Sequence, residues 1–105
     1  MTSAKKFDEQ KVRMELVPPV FTEAVASVLT FGAKKYGDHN WALGLKYDRV
    51  IGAILRHVSA IQRGEDVDPE SGEWHAAHAA CNLAFLIHFM ENNRTDLDDR
   101  AFKRG

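Results

Sequence analysis

A chain of 105 residues suffices for one domain with a modest core, and 45% hydrophobic with 28% charged residues is the composition of an ordinary water-soluble protein. A net charge of −1 excludes bulk binding to nucleic acid or another polyanion, so any anion has to be met by local basic residues. The lone cysteine, Cys81, excludes an internal disulfide and a multi-cysteine zinc site. There is no cleavable signal and no membrane-length apolar run, so the expected setting is the cytoplasm.

Residues 1–15 are polar and mixed in charge, and are expected to form a mobile arm. Arg13 lies near its end, where Met14, Leu16 and Val17 suggest that the chain already touches the core. Pro18-Pro19 then marks a helix start, because proline is tolerated where the amide has no helical partner. Phe21, Val25, Val28, Leu29, Gly32 and Tyr36 fall on one stripe, and Gly37 supplies a stop. Lys34 and Lys35 suit the negative end of the helix dipole, and either could instead turn inward to hold a phosphate. The loop Asp38–Gly44 contains Asn40 and Trp41, a pair able to offer a base edge a hydrogen bond and a stacking face. A tryptophan so placed is nevertheless more often a core plug.

A second helix is expected over Tyr47–Arg63, where Val50, Ile51, Ile54, Leu55, Val58 and Ile61 make a wide apolar stripe. His57 falls on that apolar side, where a histidine is ordinarily a hydrogen-bonded core residue; Arg56 precedes it. The connector Gly64–Gly72 is acidic, carrying Glu65, Asp66, Asp68 and Glu70. Either Asp68-Pro69 or Ser71 is a reasonable start for a third helix that runs to about Asn92. His75 and His78, three apart, share a face of that helix, and Asn82 continues the row. Alanines make the helix slim at first. From Leu83 to Met90 it is apolar on every side, more than three helices can cover. The expected fold is therefore all-α, a small helical bundle completed by oligomerisation into a homodimer or homotetramer. The charged stretch after Asn93 reads as a tail, 94–105, likewise expected to be mobile.

If the last two helices pack antiparallel, imidazoles from both meet beside the acidic connector. Histidines with nearby carboxylates suit a divalent ion such as Mn²⁺, Co²⁺ or Zn²⁺, whereas Mg²⁺ prefers carboxylates, water and substrate phosphates. The competing reading is a buried hydrogen-bonded network.

The series FGAKKYGDHNW (Phe31–Trp41), Arg56-His57 and GEDVDPESGEWHAAHAACN (Gly64–Asn82) resembles the phage and bacterial dATP/dGTP diphosphohydrolases, which are grouped with the MazG-like all-α pyrophosphohydrolases. The resemblance implies metal-dependent cleavage of a purine deoxynucleoside triphosphate to the monophosphate and pyrophosphate, helped by Mg²⁺ or Mn²⁺. For a phage-encoded enzyme the site of action would be the host cytoplasm. MazG-like enzymes hold their ion with ExxE on one helix and ExxD on the next. Here Glu65–Asp68 and Glu70–Glu73 have those spacings in reversed order and in one connector, so that ligand set does not carry over. The assignment is then His57, His75, His78 and Asp68 to the metal, and His57, Asp68, Glu65 and Glu70 to acid–base work. Arg13, Lys34, Lys35 and Arg56 are assigned to phosphates, and Asn40 and Trp41 to the base. A helical module that binds a nucleotide or a partner without turnover is the alternative, and neither nucleic acid nor membrane is expected as a partner.

Overall fold

The computed structural model describes residues 4–5 and 9–104. It contains three α-helices, α1 (Pro19–Tyr36), α2 (Tyr47–Gln62) and α3 (His75–Glu91), with short 3-10 turns at Met14–Leu16, Asn40–Leu43 and Thr95–Leu97. Among the described residues there is no strand, and the only β pairing is an isolated bridge between Val67 and Trp74. Among the described residues no helix is long and apolar enough to cross a membrane. The all-α expectation and the bounds of the first two helices hold.

The central helix is α3, with both α1 and α2 packed on it. Its pairing with α2 is antiparallel. Phe89 near its C-terminus is fully buried (0% exposed) with Tyr47 and Val50 from the start of α2, while His75 at its own start meets His57 near the end of α2. On the other side Ala77 and Cys81 pack against Val28, Ala24 and Val25 of α1. The alanines of α3 therefore make room chiefly for a helix, since small side chains let two backbones approach closely. Burial pushes the Cys81 thiol up to about 11, which leaves it an inert packing residue.

Three expectations are corrected. The third helix begins neither at Pro69 nor after Ser71 but at His75. The Asp68 carboxylate caps a tight turn instead, accepting the amides of Glu70 (2.8 Å) and Ser71 (3.3 Å). The Val67–Trp74 bridge and Gly72, at φ 74°, then reverse the chain before α3 can start.

The segment after Asn93 does not trail away. Leu97 is buried with Tyr47, Val50, Leu86 and Phe89, and the Asp99 carboxylate accepts the Asp48 amide at the N-terminus of α2. Leu97 also packs against Gly44, at φ 127°, where a Cβ would come within 2.9 Å of the Arg94 side chain. Residue 105, the end of the expected tail, lies outside the described residues.

Of the expected arm, residues 1–3 and 6–8 lie outside the described residues. Met14, Leu16 and Val17, expected against the core, are exposed.

Candidate active site

The site grows from the α2–α3 seam. His57, held on the inner face of α2 by the stripe that buries Val50 and Ala60, places Nδ1 2.8 Å from Nδ1 of His75. His75 is buried (5% exposed), and its other nitrogen, Nε2, lies 2.9 Å from Oε2 of Glu65. The His57 ring also stacks on His78, at 4.6 Å between centroids and 7° between planes, while Nε2 of His78 lies 2.7 Å from the Ser71 hydroxyl. The turn around Asp68 is thus fastened to α3 through Ser71. Its Glu73 carboxylate accepts a hydrogen bond from Ser27 of α1.

His57, Asp68 and His75 each offer one donor atom, and the three atoms lie within 4.8 Å of one another. Burial holds the His57 pKa below its ordinary value, and positive charge on His78 and His75 would push it the same way, which favours the neutral imidazole that a metal ion requires. Burial alone would raise the Asp68 pKa. The Glu70 and Ser71 amides and the nearby histidines outweigh it, so the carboxylate stays ionised. Both amide bonds fall on Oδ1, which leaves Oδ2 for a ligand.

A divalent ion fits this donor set. Ligand distances of about 2.1 Å put neighbouring donors roughly 3 Å apart, close to the observed His57–His75 separation. Two imidazoles and one carboxylate suit Mn²⁺, Co²⁺ or Zn²⁺ and leave positions open for substrate.

A cavity of about 850 Å³ opens above the seam, between α1, the Asp38–Leu45 loop, α2 and α3. His57, Asp68 and His78 line one end; Lys35 and Glu70, paired at 2.9 Å, stand beside them. Trp41 lines the other end, half-buried and stacked on Phe85 at 4.5 Å and 20°, so it serves as both plug and cavity wall. Asn40 lies there too, and Gly32 contributes an open stretch of wall where even a Cβ would meet nothing within 4 Å.

The structure therefore gathers His57, Asp68, His75, His78, Glu65, Glu70, Lys35, Asn40 and Trp41 around one site. It leaves out three expected phosphate ligands. Arg13 is paired with Glu15 in the exposed arm, and neither Lys34 nor Arg56, both exposed, lines the cavity. Among the polar residues given no role at the site in the sequence, Asp38, Arg49, Ser71 and Asn82 line it, as do Thr30, Tyr36 and His39. Ser71 reads as a helix cap in the sequence; Arg49 carries no local signal, being one exposed cation on the polar side of α2.

Over residues 1–100 the sequence matches the family described as dATP/dGTP diphosphohydrolase, N-terminal. The chain belongs to this family. A dATP/dGTP diphosphohydrolase of Salmonella phage PMBT28 is 48% identical over 97 residues, which cover 92% of this chain and 33% of that protein. The chain thus spans about a third of the length of this diphosphohydrolase relative. No solved structure matches. Within the N-terminal dATP/dGTP diphosphohydrolase match fall both the histidine seam and the aromatic end of the cavity.

Proposed function

We propose that the chain hydrolyses purine deoxynucleoside triphosphates between the α and β phosphates, giving the monophosphate and pyrophosphate, with a divalent ion held by His57, Asp68 and His75. The observation that carries this reading is the convergence of those three donors, two of which, His57 and Asp68, line one end of a cavity whose other end is aromatic, with His75 buried just behind them. A relative named for dATP/dGTP diphosphohydrolysis supports the substrate class.

The ion, when bound, offsets phosphate charge and makes a coordinated water more acidic. The residues of the chain supply the rest. Glu65 anchors the buried His75 from behind, so it acts as a positioning residue and not as the base. Glu70 lines the cavity beside Asp68, and only its Oε1 is engaged by Lys35; it is the carboxylate placed to accept the proton of the attacking water. That water adds to the α phosphorus, the bond to the α–β bridging oxygen breaks, and Lys35 stabilises the charge on departing pyrophosphate. Trp41 and Phe85 provide an aromatic wall for the base.

A homo-oligomer, dimer or tetramer, belongs to the same proposal. Leu83, Ile87 and Met90 fall at i, i+4 and i+7 on the outer face of α3 and are all exposed.

Incubation with each deoxynucleoside triphosphate and Mn²⁺ or Mg²⁺, with the products separated by ion exchange, tests the reaction. Equimolar monophosphate and pyrophosphate from dGTP or dATP is the expected result. Orthophosphate, or free nucleoside with tripolyphosphate, would assign the protein to another class of hydrolase.

A further inference from the structure

Four of the charged side chains lining the cavity are accounted for by the site itself. His57 and Asp68 belong to the donor cluster, and Lys35 is paired with Glu70. Asp38 and Arg49 are different. Both line the cavity, they carry opposite charges, and among the described residues neither side chain takes part in an ion pair or hydrogen bond. Their places in the chain put them towards the aromatic end. Asp38 lies in the loop that leads into the Trp41 turn, and Arg49 is in the first turn of α2, eight residues before His57 on the same helix. At 1.5 Å per residue that is roughly 12 Å along the axis from the donor cluster, a separation suited to a phosphate at one end and a base at the other.

Resting on the reading above, we infer that Asp38 and Arg49 select guanine over adenine among the purine triphosphates. A guanidinium donates two parallel hydrogen bonds and matches the O6 and N7 acceptors of guanine. A carboxylate only accepts, and matches the N1–H and N2–H donors of the same base. Adenine reverses the pattern, because its N6 amino group would set donor against donor at Arg49 and its bare N1 would set a lone pair against the Asp38 carboxylate. A site whose polar groups are left unpaired by the wrong base discriminates more sharply than an apolar pocket that merely fits both. The aromatic wall of Trp41 and Phe85 holds either purine, and Asn40, whose amide both donates and accepts, can pair with either, so the choice between them falls to the two charges.

The test pairs substrate analogues with side-chain variants. The parent, Arg49→Ala and Asp38→Asn are assayed with dGTP, dATP, 7-deaza-dGTP (no N7) and dITP (no N2 amino group). Binding of dGMP and dAMP is measured in parallel by calorimetry. Both side chains are exposed, and circular dichroism confirms that the variants fold. The parent is expected to favour dGTP over dATP, and dGMP over dAMP, by about tenfold or more. The 7-deaza penalty should vanish in Arg49→Ala and the dITP penalty in Asp38→Asn, because each analogue deletes the partner of one residue. A parent indifferent to the base, or analogue penalties that persist in the variants, would overturn the assignment. Equal losses on dGTP and dATP in Arg49→Ala would also overturn it, by placing the guanidinium on the phosphates. Failure of the hydrolytic reading looks different: no triphosphate is turned over, while the calorimetric ranking of dGMP over dAMP remains.

Discussion

Nδ1 of His57 and Nδ1 of His75 lie 2.8 Å apart across the α2–α3 seam, although 18 residues separate them in sequence. Glu65 takes the far nitrogen of His75, so the near nitrogens are the pair turned towards each other. A cation between them would replace the hydrogen they now share. Saturating Mn²⁺, Co²⁺ or Zn²⁺ should therefore raise the melting temperature. At a hundredfold excess over Kd the gain is about 2.7 kcal/mol, on the order of 10 °C for a domain of this size. His57→Ala and His75→Ala should lose that shift. His78→Ala, which removes a stacking ring outside the three-residue cluster, should keep most of it. Metal-induced shifts that survive both His57→Ala and His75→Ala would remove the metal centre from this seam.

How far the sequence announces this site depends on the element. The stripe on α2 points His57 inward, and three-residue spacing puts His75 and His78 together, because periodicity records which side of a helix is buried. The start of α3 is a different matter. Asp68-Pro69 carries a sound capping signal, and the carboxylate does cap, but it caps a turn that a long-range contact with Trp74 closes. Local chemistry alone does not separate these outcomes. Leu97 likewise looks like one apolar residue in a charged stretch; only the gap left by Gly44 beside Phe89 and Tyr47 makes it core. Arg49 and Asp38 become visible only when α1, the loop and α2 enclose one cavity.

Glu65 is more than half exposed while the histidine it holds is buried, and it does not line the cavity. Its effect on the reaction should therefore pass through His75. Removing such a partner typically costs about 10–100-fold in metal affinity. Glu65→Ala should show a loss of that size by calorimetry with the metal alone. Glu65→Gln, which still accepts a hydrogen bond from Nε2–H, should lose less. Equal effects of the two substitutions would mean that charge, not orientation, is what Glu65 supplies.

The exposed stripe Leu83, Ile87 and Met90 bears on assembly. Ile87 is 62% exposed at the centre of that row. Light scattering at micromolar concentration is expected to find two or four chains per particle for the parent. Ile87→Lys should yield monomers, since burying an unpaired ammonium in an apolar interface is costly. A well-folded parent monomer at high concentration would remove the oligomer from the proposal.

The C-terminal segment gives a prediction that concerns folding alone. Asp98 is enclosed (side chain 6% exposed) and meets the Arg100 guanidinium at 2.8 Å through each oxygen and Lys103 at 2.8 Å. Arg100 first and Lys103 second hold its pKa well below the ordinary carboxylate value near 3.8. Because the folded value is depressed, the folded state binds the proton less readily than the unfolded chain does. The stabilisation is thus fully present above the unfolded value, and it is lost as pH falls below about 4 towards the folded one. Asp98→Asn removes the charge at every pH. The difference in melting temperature between parent and variant should be constant from pH 7 to about pH 5 and shrink steadily below pH 4. Carboxylates common to both proteins cancel in that difference. Added salt should narrow the gap at neutral pH, because Arg100 and Lys103 are partly exposed and the attraction is screened. A gap that stays constant down to pH 2.5 would mean that Asp98 acts through the shape of the turn and not through its charge.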